Sequence, residues 1–375
     1  MTYLDNAATT FPKPESVYSD MDEINRTYAV NAGRGSYKAA QKAVKVIDDT
    51  RAAILKLFKA EGKADAVFTS SVTQALNMVI QGLEIDNGNT VYISPYEHNA
   101  VVRTLHMLQK ERDFEVREMP LNKDLTIDLG KLSYSFVEKN PTVVIATAVS
   151  NVTGYVLPTE EIFKAAKKYC AFTVSDSAQA AGLIDIDMEK IQADIICFAG
   201  HKSLYGPFGA AGFVIRKGLP LKQTFAGGTG SHSLSPEMPA NAPERYEAGS
   251  CNVVAIKGLN SALNAIKQEE HYEKITKLTE YAIKSISSVP GIKILGATKG
   301  QLGIVSFVAE GYESDEIGKI LDEEYDIAVR TGFHCAPLIH KYLRDETYGG
   351  TVRVGIGYFN TEEDIDRLTD ALMSL

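Results

Sequence analysis

The residue that first invites chemistry is Lys202, in Phe198-Ala199-Gly200-His201-Lys202-Ser203-Leu204-Tyr205-Gly206-Pro207, directly behind the apolar run 194–198. A lone loop lysine is ordinarily a solvated charge, but its surroundings argue otherwise. Upstream stands Val174-Ser175-Asp176-Ser177-Ala178-Gln179, again an apolar run ending in a polar turn. If the two runs are adjacent strands, Asp176 and Lys202 share one crevice. Lysine condenses with an aldehyde, and an acid beside a pyridine nitrogen keeps it protonated; these are the two protein groups pyridoxal phosphate most needs. The plain alternative for Asp176 is a helix N-cap. A third segment, Phe68-Thr69-Ser70-Ser71-Val72-Thr73-Gln74-Ala75, reads as strand, small-residue turn and helix start. Free N–H groups and hydroxyls there suit a phosphate, although a simple Ser/Thr cap fits as well.

Positioning such residues requires a scaffold. The patterning predicts strands at 66–69, 91–94, 142–148, 172–175, 194–198 and 212–215, with helices or helix starts at 73–83, 98–110, 159–169 and 177–182. Alternation of this kind implies a mostly parallel, doubly wound α/β sheet whose ligands sit at the carboxyl ends of the strands. Residues 219–250, rich in Gly, Ser and Pro, read as a long functional loop. A long helix is expected over about 254–288, then a turn at Val289-Pro290-Gly291, then a smaller α+β unit. In that unit Thr351–Tyr358 reads as a strand, and Thr361-Glu362-Glu363-Asp364 as a helix start with acids at the dipole's positive end. The expected division is a large domain over 15–255 and a small one over 256–375 together with 1–14.

The 375 residues suffice for two cores, and 45% hydrophobic with 23% charged residues is ordinary for a soluble protein. A net charge of −9 speaks against nucleic acid or an anionic membrane as main partner. No apolar run reaches transmembrane length, and Met1-Thr2-Tyr3-Leu4-Asp5 carries no secretory pattern. Cys170, Cys197, Cys251 and Cys335 show no metal-ligand spacing, so reduced thiols, no metal and a cytoplasmic location are expected.

Taken in order, the motifs resemble those of class V aminotransferase-fold enzymes, specifically the cysteine desulfurase and selenocysteine lyase family. The resemblance begins at Tyr3-Leu4-Asp5-Asn6-Ala7-Ala8-Thr9-Thr10 and Asn31-Ala32-Gly33-Arg34-Gly35. It continues through Glu97-His98-Asn99-Ala100, Ser150-Asn151-Val152-Thr153-Gly154, Asp176-Ser177-Ala178-Gln179 and Gly200-His201-Lys202. Glu247-Ala248-Gly249-Ser250, Arg330-Thr331-Gly332-Phe333-His334-Cys335-Ala336 and Arg353 complete it. Each alone is weak; their order over nearly the whole chain is specific.

This resemblance implies a type I fold for pyridoxal 5'-phosphate, with a seven-stranded sheet in the large domain. It implies that Lys202 binds the cofactor aldehyde and then moves protons, that His98 stacks on the ring and acts as acid or base, and that Asp176 pairs with the ring nitrogen. Gln179 and Asn151 belong near the ring's phenolic oxygen. Val72 (through its N–H), Thr73 and His201 belong at the phosphate. Ser250 matches a residue that reaches the phosphate from the other subunit, hence a homodimer with shared sites. Arg353 clamps the substrate carboxylate, with Asn6, Ala7 and Ala8 close by. Cys335, bordered by Arg330 and His334, becomes the nucleophile that takes the substrate's sulfur as a persulfide, to be passed on by thiol exchange, for which an acceptor protein is a candidate partner. Cys197 and Cys170 read as small core residues, and Cys251 receives no role.

Three departures stand out. Ala199 replaces a serine common in the family, Ser71-Val72 replaces Gly-Thr, and Phe333 replaces a histidine, making the cysteine loop more apolar. The first two each remove a hydroxyl, and a lost hydrogen bond to a charged group is worth about 1.5–3 kcal/mol. The compact cysteine loop resembles the short-loop subgroup. The implied reaction is conversion of L-cysteine to L-alanine, with selenocysteine lyase activity as the alternative. Another enzyme on this fold, such as an aminotransferase, needs no Cys335; a Cys335–His334 hydrolase or a non-catalytic binding protein leaves Lys202, Asp176 and Arg353 unexplained.

Overall fold

The computed structural model describes residues 1–375 except 33, 34, 36, 232, 233, 298 and 299. Gly33 and Arg34 of the Asn31–Gly35 motif therefore lie outside the described residues. The chain opens with β1 (Thr2–Tyr3), α1 (Glu15–Thr27) and α2 (Lys38–Leu57). It then alternates through β2 (Ala64–Thr69), α3 (Val72–Gly82), β3 (Thr90–Ile93), α4 (Asn99–Leu108), β4 (Glu115–Glu118), α5 (Leu129–Glu138), β5 (Val143–Thr147), α6 (Thr159–Lys167), β6 (Phe172–Asp176), β7 (Ile195–Ala199) and β8 (Ala211–Arg216). These strands form one sheet in the order β2-β8-β7-β6-β5-β3-β4, parallel except for β8, which runs against both neighbours.

Strand alternation explains why the strand sequences are apolar throughout. Val143 and Ile145 of β5 and Ile195 and Cys197 of β7 enter one core with Leu76, Val79, Val101 and Leu105 from α3 and α4. Their neighbours Val144, Ala146, Ile196 and Phe198 enter the other core, with Ile54, Phe136 and Phe163 from α2, α5 and α6. Both faces are covered, so neither residue parity can be polar. Cys197 is fully buried, as expected; Cys170 is not a core residue. It is exposed at φ 58°, where the chain turns out of α6 before entering β6.

Two helix expectations are corrected. Residues 177–182 form successive turns rather than a helix: Ala181 N–H reaches the Ser177 carbonyl, but Gly182 at φ +79° turns the chain, and a Cβ there would lie 2.7 Å from the Leu204 side chain. The helix over 254–288 is two, α7 (Val253–Ala265) and α8 (Gln268–Ser287), separated by extended Ile266 and Lys267. The break serves two cores. Leu259 of α7 packs on the large sheet, whereas Leu278, Ala282 and Ile286 of α8 pack on a second, smaller one. Residues 219–250 contain no helix or strand among those described.

The remaining elements are β9 (Ile292–Leu295), β10 (Ile304–Ala309), α9 (Ser314–Tyr325), β11 (Ile327–Ala328), β12 (Arg330–Gly332), α10 (His340–Leu343), β13 (Thr351–Gly355) and α11 (Glu362–Met373). An antiparallel sheet β12-β13-β10-β9 carries α8, α9 and α11. The strand expected to reach Tyr358 stops at Gly355. The helix start at Thr361 is realised as a capping box, Thr361 bonding the N3 amide and Asp364 bonding back. At the N-terminus β1 pairs with β11, and Leu4 enters the small-sheet core.

Candidate active site

A cavity of about 210 Å³ opens beyond the carboxyl ends of β5, β6 and β7, where ligands sit on such sheets. It gathers Ala7, Ala8, Val72, Thr73, His98, Asn151, Asp176, Gln179, His201, Lys202, Cys335 and Arg353 from segments scattered over the chain. Two expected residues are elsewhere. Asn6 is buried with its side chain engaged by the Gly355 carbonyl, Asn360 and the Phe11 amide, so it shapes the segment carrying Ala7 without lining the cavity. Ser250 accepts from Asn31 Nδ2 at 3.0 Å and lines a neighbouring cavity of about 290 Å³ with Thr69, Ser70 and Gln74.

Lys202 follows β7, and Asp176 ends the adjacent β6. Asp176 Oδ1 accepts from Ala178 N–H at 3.0 Å, an Asx-type turn that holds the carboxylate at the strand's end. Burial raises the Asp176 carboxyl above its ordinary range against the pull of Lys202, and lowers the Lys202 ammonium below its own. The backbone under Lys202 is fixed by the N-terminal segment. Thr9 and Thr10 hydroxyls donate to the His201 carbonyl, and Thr10 donates as well to that of Lys202.

His98 caps α4, its Nδ1 accepting from Ala100 N–H at 3.0 Å. Its proton therefore sits on Nε2. Burial, with Lys202 and Arg330 nearby, lowers its pKa to about 4, so the ring is neutral at neutral pH. At the other end of the cavity, Ser71 Oγ caps α3 through Gln74 N–H, leaving the first-turn amides of Val72 and Thr73 for an anion. His201 Nδ1 is buried with no partner among the described residues, and burial holds that ring neutral with a pKa of about 4. A helix N-terminus, an unpartnered imidazole nitrogen, a lysine and a buried acid fit a phosphate-bearing aldehyde with a basic ring nitrogen.

Arg353 is 1% exposed on β13 and stands in register with Arg330 on β12. Like charges placed directly across a strand pair disfavour one another. Asp5 offsets part of this by accepting from Arg353 Nη2 at 2.8 Å, while Nη1 donates to the Asn151 carbonyl and Nε is buried without a partner among the described residues. The arrangement favours a carboxylate ligand. Cys335 is exposed, with Arg330 Nη2 3.7 Å from its Sγ. His334, expected as a second basic neighbour, is buried and bonded through Nε2 to Thr351 at 2.8 Å. Burial lowers it to about 2, so it is neutral and makes no dyad with the thiol. Asn151 Nδ2 is committed to the His334 carbonyl, and Gln179 Nε2 to that of Ala7.

Asp5, Glu97 and Asn99 stood inside quoted motifs without roles. Glu97 is fully buried: its Oε1 accepts from Ser94 and from Thr147 N–H, and its Oε2 has no partner. Desolvation, with Asp176 contributing, raises it to about 8, so it is a neutral acid at neutral pH.

The family model Aminotransferase class-V matches residues 2–368. The chain belongs to the class-V aminotransferase family, in its cysteine desulfurase group. It is 31% identical over 377 residues to a probable cysteine desulfurase of Methanothermobacter thermautotrophicus, covering 99% of this chain and 93% of that one. A cysteine desulfurase of Escherichia coli O8 is likewise 31% identical, with 100% and 93% covered. Among solved structures, the apo cysteine desulfurase from Thermococcus onnurineus NA1 superposes with a TM-score of 0.91 at 26% identity, covering 99% and 94%. The Escherichia coli cysteine desulfurase CsdA gives 0.85 at 26%, covering 99% and 93%.

Proposed function

We propose that this protein is a pyridoxal-phosphate-dependent cysteine desulfurase, releasing L-alanine and leaving the sulfur on Cys335. The observation that carries the reading is the convergence of Lys202, Asp176, Arg353 and an exposed Cys335 on one cavity. When bound, the cofactor supplies an aldehyde for lysine and a ring that accepts the electron pair left at the α-carbon. Asp176 holds the proton at the ring nitrogen, and the amides of Val72 and Thr73 with His201 Nδ1 hold the phosphate. Arg353 binds the substrate carboxylate, with Ala7 and Ala8 walling that end. Lys202, once freed, takes the α-proton; burial favours its neutral form for this step. His98 lines the cavity with its proton on Nε2. Cys335 thiolate attacks the substrate sulfur, the C–S bonding pair passes to the substrate carbon, and a persulfide remains on Cys335. Arg330 stands beside that sulfur.

The names of the relatives favour cysteine over selenocysteine. The reading further includes a homodimer in which Ser250 serves the partner's phosphate site, a thiol acceptor for the sulfur, a cytoplasmic location, and two domains over 15–255 and 256–375 with 1–14. No helix among the described residues is long and apolar enough to cross a membrane.

Purified protein reconstituted with pyridoxal phosphate is expected to absorb in the visible and to release alanine from L-cysteine. Cys335→Ala is expected to lose about a hundredfold or more in sulfur release, and Lys202→Ala to lose both turnover and the absorbance. A protein that takes up no cofactor, or a Cys335→Ala variant as fast as wild type, sinks the reading.

A further inference from the structure

The turn that carries Cys335 is conformationally unusual. Gly332, His334 and Cys335 have φ of 91°, 46° and 59°. Left-handed backbone at two successive non-glycine residues persists only where the surroundings fix it. Each of the three carbonyls in the turn is held by a different element. The Cys335 carbonyl accepts from Asn99 N–H at the start of α4 (2.7 Å), and that of His334 from Asn151 Nδ2 (2.7 Å). The Phe333 carbonyl meets His340 Nε2 at 2.9 Å, besides the weaker local bond from Ala336 N–H.

His340 has no place in the chemistry derived above, yet it is 3% exposed and bound on both ring nitrogens. Its Nδ1 lies 2.6 Å from Oδ2 of Asp345, which is fully buried and whose Oδ1 has no partner. A carbonyl only accepts, so Nε2 carries hydrogen. The short Nδ1–Oδ2 contact then requires a further proton between ring and carboxyl, whichever atom holds it. Phe333 packs edge-on against the same ring at 5.0 Å. Asp345 in turn fixes the approach to β13, its carbonyl accepting from Tyr348 and Gly350 amides.

We propose that His340 is a positioning residue for the sulfur step: oriented by Asp345, it pins the Phe333 carbonyl and so holds the turn that presents the Cys335 thiol. This rests on the reading of Cys335 as sulfur acceptor, and the test separates the two.

Two near-isosteric variants divide the ring's contacts. Gln places its amide nitrogen where Nε2 stands and keeps the bond to Phe333; Asn mimics Nδ1 and keeps only Asp345. In the holoenzyme, His340→Asn is expected to form the Cys335 persulfide about tenfold or more slowly, the loss of one hydrogen bond near charge, and His340→Gln to stay within about threefold of wild type. Deuterium uptake at the α-carbon of L-alanine, which uses Lys202 and not Cys335, is expected to hold within about twofold in both. Amide exchange of the 332–337 segment is expected to be about tenfold faster in His340→Asn than in His340→Gln. Equal rates in the two variants, or alanine exchange falling in step with persulfide formation, overturns the proposal. If wild type forms no persulfide, the functional reading fails, and amide exchange alone still decides whether His340 pins the turn. If neither variant folds, nitrogen NMR of the wild-type ring decides: Nε2 without hydrogen overturns the proposal.

Discussion

Glu97 is the residue whose burial and chemistry conflict most. Its folded pKa, raised to about 8 chiefly by desolvation, exceeds that of the exposed side chain. Between the two values the native state binds a proton that the unfolded chain has released, so stability falls as pH rises through that window. Glu97→Gln keeps the bonds from Ser94 and Thr147 and removes the titration. Relative to wild type, the variant is expected to gain several degrees in Tm on going from pH 5 to 8.5, roughly 3–4 kcal/mol; a difference independent of pH contradicts the assignment. At this scale the sequence revealed chemistry better than environment. Lys202 and Asp176 could be singled out because aldehyde and pyridine chemistry each call for a particular side chain, whereas the role of Cys335 came from the family resemblance. That Glu97 is neutral, that His334 turns away from the thiol and that Asn6 is consumed by structural bonds depend on packing, which spacing along the chain does not report.

At the scale of elements, the β12–β13 region carries the turn on which the proposed sulfur step depends. Gly350, at φ +97°, sits so close to Gly332 that a Cβ would lie 2.4 Å from its carbonyl carbon and oxygen. Both contacts are with backbone, which cannot swing aside. Gly350→Ala is expected to destabilise the protein by about 1–3 kcal/mol, measured by denaturant unfolding. It is also expected to slow sulfur release while leaving visible absorbance intact, because it displaces the turn and not Lys202. The buried strands of the large sheet were legible as apolar runs, each within two residues at either end. β4 was not: Glu-Val-Arg-Glu is an edge strand pairing only with β3, and edges are polar. The single helix expected over 254–288 failed because periodicity continues across Ile266–Lys267 while the cores it addresses change. Turns over 177–182 replaced a helix because Gly182 turns the chain beside Leu204.

For the whole molecule, the reading predicts a species of twice the 40.9 kDa chain mass in sedimentation. It also predicts that mixing Lys202→Ala with Ser250→Ala subunits yields dimers with one fully wild-type site. Turnover above the average of the separate variants is the expected outcome; simple averaging means that Ser250 serves its own subunit. The division into a large doubly wound sheet and a smaller antiparallel one was visible in the switch from alternating strands and helices to a mixed pattern. What no local pattern could show is that the first ten residues bind both parts, through Thr9 and Thr10 on the His201–Lys202 backbone, Asp5 on Arg353, and β1 on β11.

That arrangement has a consequence for how the protein is made. The segment carrying Thr2, Tyr3 and Asp5 finds its partners only when positions 327–328 and 353 have followed, far along the chain. Contacts so distant along the chain form late. During synthesis the lysine-bearing sheet can therefore assemble while the Thr2–Asp5 segment still hangs free, and Arg353 is seated only once the strands of the smaller sheet have followed. Until then the cavity around Lys202 lacks the side chain proposed to bind a carboxylate.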